Sequence, residues 1–190
     1  GVRRFIELGN QLVARGHAFR GGSDTEVLLA AVAELGCEAA VRRFTGMFAF
    51  ALWDTSERVL WLARVRLGEK PLYYGWLGDT FAFASELKAL RAHPGFRCEV
   101  DRGALALYLR YNCVPAPYSI YRGVFKLKPG CVLRITAPAH HAEPIEYWSL
   151  EQAARQAMQR PLEREVEATR ELAGADNLAS AMQLGPREAL

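Results

Sequence analysis

The sequence lacks any apolar run long enough to cross a bilayer. Its longest uninterrupted apolar stretches, residues 27–33 and 47–53, have seven residues each, whereas a membrane-spanning helix needs about 20. The first residues, Gly1 to Glu7, lead into no apolar segment of signal-peptide length with a small-residue cleavage site. These absences exclude a membrane-spanning protein and give no support to secretion, so we expect a cytoplasmic protein.

Cysteine is also scarce, and its spacing fits no metal site. The four cysteines are 61, 15 and 18 residues apart: Cys37, Cys98, Cys113 and Cys131. They lack the Cys-x-x-Cys pairs and the nearby histidines of a zinc site, so we expect reduced thiols. We expect no nucleophile among them, because none is N-terminal and none has a histidine close in sequence. The adjacent His140 and His141 lack a third metal ligand, and we expect them in an exposed loop.

Charge of one sign is not concentrated anywhere in the chain. There are 24 Lys and Arg residues against 21 Asp and Glu residues, a net charge of +3. The basic residues occur as pairs, such as Arg3-Arg4 and Arg42-Arg43, and not in the longer runs of a nucleic-acid patch. A nucleic-acid-binding module is therefore the least favoured class. The 51% of hydrophobic residues indicates a globular domain with a sizeable core.

Helical periodicity marks the first part of the chain. Apolar residues from Val2 to Val13 recur at helical spacing, and the pattern stops at Gly16, which suits the left-handed turn after a helix. Ser23 and Glu26 form a capping box, in which each side chain satisfies the other's free backbone N–H. This box predicts a second helix, which ends near residue 36. Similar patterns predict further helices over residues 38–44, 87–91 and 104–111, the last with Asp101 as its N-cap.

Two hairpins and a later strand are predicted by the apolar segments that follow. Residues 48–53 and 59–63 flank one polar turn, and residues 72–76 and 81–84 flank a turn at Gly78-Asp79, so each pair predicts a β-hairpin. Residues 131–135 predict a short strand. Because the strands of the two hairpins are apolar on both alternating faces, we expect both faces of the sheets to be covered.

A change in composition predicts one domain boundary near residue 150. Beyond Trp148 the sequence is rich in Glu, Gln, Arg and Ala and has few large apolar residues. We therefore assign residues 1–150 to one domain and residues 151–190 to a polar helical linker or tail.

Several segments occur together in an order that is highly specific. They read RGHAFRGGSDTE at residues 15–26, GMFAFALWD at 46–54, ARVRLGEKPLYY at 63–74, FASELKAL at 83–90 and VPAP at 114–117, followed by KLKPG at 126–130 and Tyr147-Trp148. In this order they resemble the glutaminase domain of glutamine-hydrolysing asparagine synthetases, a class II glutamine amidotransferase domain. The resemblance covers residues 1 to about 150.

The resemblance implies both a fold and a reaction. The fold is α+β, an N-terminal-nucleophile-hydrolase-type four-layer αββα sandwich of antiparallel sheets. In the reaction, a cysteine directly after the initiator Met attacks the side-chain amide of L-glutamine, with its own α-amino group as the base. The ammonia passes to a second domain, which uses ATP and magnesium to adenylate L-aspartate. The implied partners are L-glutamine, L-aspartate and ATP, and neither nucleic acid nor a membrane is implied. Whether the protein forms a homodimer is left open.

The resemblance also predicts that both catalytic centres lie outside this sequence. The nucleophilic cysteine, an arginine that binds the glutamine carboxylate and an Asn-Gly pair that forms the oxyanion hole would all precede Gly1. The Ser-Gly-Gly-x-Asp-Ser loop of the ATP-binding domain does not occur before Leu190. We therefore expect a fragment with an incomplete fold, with no catalytic residue, metal or cofactor in this chain and no activity from it alone.

One binding residue carries over from the family motif. Asp24 matches the aspartate of the Ser-Asp-Thr-Glu motif and is thereby implied to bind the α-ammonium of glutamine. A carboxylate suits that role because it forms a charge-assisted hydrogen bond with an ammonium. A second interpretation stays open, in which Asp24 only interacts favourably with the helix dipole in the first helical turn.

Two positions depart from the family pattern Arg-Asp-x-x-Gly-Ile-Lys-Pro-Leu. Val65 stands where that pattern has aspartate, and Glu69 stands where it has isoleucine. If the aspartate pairs with a neighbouring arginine, we expect that arginine to lack its partner here, at a cost of about 1–3 kcal/mol. Such changes are typical of a divergent copy.

Two other functions stay open from the sequence. An amidotransferase that acts on an acceptor other than aspartate would share these motifs. A non-catalytic glutamine-binding or scaffolding domain would keep the fold without the nucleophile. The second of these would bind glutamine without releasing ammonia, which distinguishes it from any amidotransferase.

Overall fold

The structure is a computed structural model that describes residues 2–136 and 142–159. It contains two compact units, Gly1–Leu150 and Glu151–Leu190. The elements in chain order are α1 (Val2–Val13), α2 (Asp24–Leu35), α3 (Cys37–Arg43), β1 (Ala49–Asp54), β2 (Val59–Arg64), β3 (Tyr73–Leu77), β4 (Thr80–Ala84), α4 (Leu87–Arg91), α5 (Arg102–Tyr111), β5 (Val124–Lys126), β6 (Cys131–Thr136), β7 (Ile145–Glu146) and α6 (Leu150–Met158). No helix in the described ranges is long and apolar enough to cross a membrane.

Some of the sequence predictions fall on residues outside this description. His140, His141 and the tail from residue 160 onward lie outside the described residues. The expectations for them, and the assignment of residues 151–190 as a linker, therefore stay predictions. Of the second unit the structure describes α6, in which Arg155 and Glu151 form an exposed ion pair at 2.6 Å.

Most of the predicted elements are confirmed within the described residues. The helices expected over residues 38–44 and 87–91 are α3 and α4, and the two predicted hairpins are β1–β2 and β3–β4. Asp101 caps α5, because its carboxylate accepts a hydrogen bond from the Ala104 N–H at 2.9 Å. The sequence patterns missed β5 and β7, which have three and two residues and are too short to show an alternation.

The capping box predicted at α2 does not form, although Ser23 caps the helix through a different N–H group. The Ser23 hydroxyl accepts from the Thr25 N–H at 3.2 Å, as a capping residue does. The prediction that the Glu26 carboxylate binds the Ser23 N–H is wrong. That carboxylate accepts instead from the N–H groups of Arg20 and Gly21, at 3.3 and 3.0 Å. The bend at residues 20–22 brings these two donors to the carboxylate, which a local pattern does not reveal.

The strands form two antiparallel sheets. The order is β1-β2-β6-β7 in the first sheet and β4-β3-β5 in the second. In the first sheet, Ala49 of β1 pairs with Arg64 of β2, and Leu62 of β2 pairs with Leu133 of β6. Strands β2 and β6 are therefore interior to the first sheet, and β3 is interior to the second.

Both faces of the first sheet are covered by other layers. Leu62 of β2 packs in a buried cluster with Leu133 and with Tyr74 of β3, between the two sheets. Its neighbour Ala63 packs on the opposite face, in a cluster with Leu12 of α1 and Val41 of α3. This arrangement explains why β2 is apolar on both alternating faces.

The second sheet is covered on its outer face by α4. Leu77 of β3 and Leu90 of α4 share a buried cluster with Val124 of β5. The layers are therefore helices α1–α3, the first sheet, the second sheet and α4. This is the αββα order that the family resemblance implies.

Candidate functional site

An open cavity of about 560 Å³ lies beside the start of α2. It is bordered by α1, the first turns of α2, the start of β1, the loop before β3 and the loop between β4 and α4. The lining residues are Phe5, Asp24, Thr25, Leu28, Met47, Phe48, Ala49, Phe50, Lys70, Pro71, Ser85 and Glu86. Its volume is in the range of small-molecule sites.

Asp24 borders this cavity as the first residue of α2. Its side chain is exposed, and among residues 2–136 and 142–159 it has no hydrogen-bond or ion-pair partner. A carboxylate in this position attracts a cation, and an ammonium would gain a charge-assisted hydrogen bond there. The helix-dipole interpretation also fits the first turn of α2, so the role of Asp24 in binding stays a prediction.

Aromatic side chains form an apolar wall in the cavity. The rings of Phe48 and Phe50 have centroids 5.9 Å apart, and they lie 5.8 and 6.4 Å from the ring of Phe44. Phe44 itself is buried in the core between the helices and the first sheet. The wall is therefore held in place by core packing, and it suits a ligand with aliphatic groups beside its charged group.

Two further charged side chains border the cavity, Lys70 and Glu86. Glu86 forms an ion pair with Lys88 at 2.5 Å. The cavity lining therefore has two carboxylates, of which one is already paired. Within the described residues, Asp24 is the lining carboxylate that stays open to a ligand.

The segment before Asp24 is tied to α2 by two other carboxylates. Glu34 accepts a hydrogen bond from Arg15 at 3.1 Å and contacts the Nε2 of His17 at 3.2 Å. Glu26 holds backbone N–H groups of the bend that precedes the helix. These contacts tie residues 15–17 and residues 20–21 to α2, and they therefore fix the position of the chain just before Asp24.

The contacts of Glu34 predict a loss of stability in acid. Hydrogen bonds from His17 and then from Arg15 lower the pKa of Glu34 below its ordinary value of 4.5. The folded chain therefore binds this proton more weakly than the unfolded chain does. The stabilisation is fully present above about pH 4.5 and is lost as the pH falls through the lowered pKa of the folded state.

We expect Glu34→Gln to weaken this acid dependence. Its urea unfolding midpoint should fall less than that of the parent when the pH is lowered from about 5 to about 3, because the group that takes up the proton is gone. Glu57→Gln, at an exposed turn position, is the matched control and should follow the parent. If Glu34→Gln also followed the parent, the contacts of Glu34 would not stabilise the fold.

A buried arginine connects the cavity border to the sheets. Arg64, the last residue of β2, is 7% exposed. Its guanidinium donates to three backbone carbonyls, those of Lys70 at 2.9 Å, Leu127 at 2.6 Å and Gly68 at 2.5 Å. Burial lowers the pKa of Arg64, because it desolvates the charged form. The three bonds fix the loop that carries Lys70 beside the cavity.

The structure shows what surrounds Val65, where the resembling family has aspartate. Val65 is buried, and the arginines on both sides of it bind backbone carbonyls. Arg66 donates through Nη2 to the Arg42 carbonyl at 2.7 Å, while each nitrogen of the Arg64 guanidinium has a carbonyl partner. The buried Nε of Arg66 has no hydrogen-bond partner within the described residues. One arginine nitrogen is thus unpaired next to the substituted position.

None of the four cysteines lines this cavity. Cys37 and Cys131 are buried, Cys98 and Cys113 are exposed, and all are free thiols. Burial raises the pKa of Cys37 to about 12 and also raises that of Cys131, so both are poor nucleophiles. The described part of the chain also contains no group of three or more His, Cys, Asp or Glu side chains that could hold a metal ion.

Alkylation is expected to separate the cysteines into two pairs. In the folded chain at about pH 8, iodoacetamide should modify Cys98 and Cys113 and leave Cys37 and Cys131 intact, because buried thiols stay protonated and shielded. In concentrated urea all should react. Peptide mass spectrometry identifies the modified positions. Fast modification of Cys37 in the folded chain would show that it is not a core thiol.

Sequence reasoning found Asp24 but not the rest of the cavity. Lys70 and Glu86 reach it through the pairing of β3 with β4 and through the bonds of Arg64. The only sequence signal was indirect, since several of the family-like segments contribute lining residues. These are the segments at residues 15–26, 46–54, 63–74 and 83–90.

Comparison with known proteins relates the chain to a family. Residues 2–148 match the family model described as a glutamine amidotransferase domain. Over 146 residues the chain is 38% identical to the glutamine-hydrolyzing asparagine synthetase 3 of Bacillus subtilis, a match over 76% of this chain and 23% of that protein. Over 129 residues it is 41% identical to asparagine synthetase 1 of the same organism, a match over 68% of this chain and 20% of that protein. The match thus spans less than a quarter of these relatives.

The fold also has a counterpart among solved structures. The structure of an allosteric regulatory enzyme of purine biosynthesis is similar, with a TM-score of 0.52 and 21% sequence identity, over 76% of this chain and 26% of that chain. At this identity the likeness concerns the fold alone. Together with the four layers, it confirms the predicted class, an α+β sandwich of antiparallel sheets of the N-terminal-nucleophile-hydrolase type.

Proposed function

This chain belongs to the glutamine amidotransferase domain family, and on that premise we propose that it is the glutamine-binding part of an enzyme that hydrolyses L-glutamine to supply ammonia. One observation carries the proposal. The carboxylate of Asp24 borders a cavity of about 560 Å³ and has no partner among the described residues. The family-like segments that meet at this cavity give further support.

In this proposal the cavity binds both the charged α-ammonium and the aliphatic part of glutamine. The α-ammonium binds to Asp24, and the aliphatic part of the side chain lies along Phe48 and Phe50. A free amino acid is selected over a peptide, because only a free ammonium gives the charge-assisted hydrogen bond. The side-chain amide then lies at the far end of the glutamine side chain from Asp24, where binding holds it in position for attack.

The proposed reaction needs a thiolate that the described residues do not place in this cavity. The thiolate attacks the amide carbon, the C–N bond breaks as the nitrogen takes up a proton, and ammonia leaves. Water then hydrolyses the thioester, which gives glutamate and restores the thiol. We propose that a cysteine outside these 190 residues acts as the nucleophile and that this chain alone is inactive.

We further propose that the complete enzyme is an asparagine synthetase that acts in the cytoplasm. Its relatives in Bacillus subtilis carry that name, and most of their length lies beyond the match. In this proposal a further domain binds L-aspartate and ATP with magnesium, and the enzyme is a homodimer. The described residues offer no group of metal ligands, so no step through magnesium is assigned to this chain.

A chimaera tests the proposed function. The N-terminal residues of Bacillus subtilis asparagine synthetase 3 that precede the match are fused in front of Gly1, and ammonia and glutamate are measured with L-glutamine as substrate. We expect equal amounts of both products from the chimaera. We expect neither product when its N-terminal cysteine is replaced by alanine.

The outcomes of this test are distinguishable once circular dichroism shows that the chimaera is folded. A folded chimaera that binds glutamine and releases no ammonia would favour the non-catalytic glutamine-binding domain. A folded chimaera that does not bind glutamine at all would overturn the proposal.

A further inference from the structure

A second cavity, of about 470 Å³, lies next to Lys126 and shares no lining residue with the cavity at Asp24. Apolar and aromatic side chains form most of its lining, among them Tyr73 of β3, Leu87 of α4 and Leu105 of α5. Small-molecule sites have volumes in this range and combine an apolar lining with a few polar groups that orient the ligand. The proposed hydrolysis of glutamine makes no use of this cavity.

Lys126 is the charged residue of this second cavity. Its side chain is partly buried. The ammonium donates a hydrogen bond to the Val114 carbonyl at 2.7 Å and lies 5.6 Å from the centroid of the Tyr73 ring. An ammonium has three N–H donors, so the bond to Val114 leaves donors for a ligand. The ion pairs found in the described part of the chain do not include Lys126.

The surroundings of Lys126 disfavour a positive charge that has no counter-ion. Burial lowers the pKa of Lys126 and the nearby charge of Arg64 lowers it further, whereas Cys113 acts more weakly in the opposite direction. The buried Ser119 hydroxyl does not compensate, because it donates to the Tyr121 carbonyl and accepts from the Tyr121 N–H, both at 3.1 Å. An anion beside the ammonium would offset both effects, since an opposite charge within a few ångströms favours the ionised lysine.

Helix α5 adds exposed apolar surface at the edge of this cavity. Of the residues of α5, all of which are described, only Ala104 is buried. Leu105 and Tyr108 are 39% and 48% exposed, and both line the cavity. A hydrocarbon group bound there would cover these side chains and remove their apolar surface from water.

We propose that this cavity binds an amphipathic monocarboxylate, with its carboxylate on the Lys126 ammonium and its hydrocarbon body between α4 and α5. The ammonium has no ion-pair partner within the described residues and therefore favours a carboxylate over a neutral ligand. The apolar lining selects a hydrocarbon body over a polar acid such as an amino acid, whose second charge would be buried without a partner. Because the cavity at Asp24 shares none of these residues, glutamine is not expected to compete.

Cys113 gives a direct readout of this site. Cys113 lines the cavity and is exposed, whereas Cys98 is equally free and exposed but lies outside the lining. The probe is octanoate, below its micelle concentration, and the uncharged match is octan-1-ol. With octanoate bound, we expect iodoacetamide to modify Cys113 at least about fivefold more slowly, with no change at Cys98. Octan-1-ol should need roughly tenfold higher concentration for the same protection, because it lacks the charge-assisted bond.

Two lysine variants complete the test. Lys126→Met should bind octanoate no better than octan-1-ol, while Lys128→Met, two positions away and outside the lining, should keep the parental preference. The proposal is overturned if neither compound protects Cys113, if both protect it equally in the parent chain, or if Lys126→Met keeps the preference for octanoate. The comparison of the two compounds in the parent chain does not depend on the folding of any variant.

Discussion

The Asp24→Asn variant of the chimaera is expected to hydrolyse glutamine with a kcat/KM about 10- to 100-fold below that of the parent. Asparagine keeps the size of the side chain and removes its negative charge, so the charge-assisted hydrogen bond to the α-ammonium is lost. Such a bond contributes about 1.5–3 kcal/mol, and tenfold in affinity corresponds to about 1.4 kcal/mol. The loss should appear mainly in KM, because the ammonium is bound alike in the ground state and in the transition state.

A matched substrate separates ammonium binding from a structural effect of Asp24. Glutaric acid monoamide lacks the α-amino group, so the parent and Asp24→Asn should hydrolyse it at the same low rate. Glu86→Gln, in the same cavity but paired with Lys88, should change kcat/KM for glutamine by less than about threefold. If Asp24→Asn impaired both substrates equally, Asp24 would act through its helix and not through the ammonium.

The Arg64→Met variant is expected to lose at least about 3 kcal/mol of unfolding free energy. Methionine fills much of the volume but leaves the carbonyls of Gly68, Lys70 and Leu127 without the donors they have in the parent chain. A buried polar group that loses its partner costs about 1–3 kcal/mol. Arg64→Lys should also be destabilised, because one ammonium cannot reach all three carbonyls in the geometry of the guanidinium fork.

Urea unfolding at neutral pH measures the effect of Arg64. Arg134→Met is the matched control, since Arg134 lies on the neighbouring strand β6, is exposed and stands over the Trp61 ring at 5.8 Å. Its loss should stay below about 1 kcal/mol, the usual contribution of an exposed cation–π contact. If Arg64→Met were as stable as Arg134→Met, the carbonyl bonds of Arg64 would add no net stability.

Elements whose signals lie within a few residues could be predicted from the sequence. The β1–β2 hairpin is an example, because the Asp54 carboxylate accepts from the N–H groups of Ser56 and Glu57 at 2.9 and 3.0 Å and so stabilises the turn by itself. The cap of α5 at Asp101 is another example. In both cases the side chain and the backbone groups it binds are close neighbours in sequence.

Pairings between distant parts of the chain could not be predicted. Strands β2 and β6 lie far apart in sequence yet pair along their length. Because β2 is apolar on both alternating faces, its pattern does not specify which strand lies beside it or in which register. The predicted partner of Glu26, the Ser23 N–H, was also wrong. The bend that precedes the helix presents backbone N–H donors that bind the Glu26 carboxylate instead.

The candidate site divides in the same way. Asp24 follows from a motif that is continuous in sequence, although its binding role stays a prediction. Lys70 and Glu86 border the cavity only because the sheets and the Arg64 bonds bring their loops together. The helix that contains Leu105 could be predicted, but not that its apolar side would stay exposed beside Lys126.

An NMR titration tests most directly whether L-glutamine binds at the Asp24 cavity. The sample is the ¹⁵N-labelled chimaera with its N-terminal cysteine replaced by alanine, so that glutamine is bound and not consumed. We expect saturable backbone amide shifts at Thr25, Leu28, Phe48 and Ser85, which line the cavity, and much weaker shifts with glutaric acid monoamide. Saturable shifts that avoid these residues, or no shifts at millimolar glutamine in a folded sample, would contradict glutamine binding at this site.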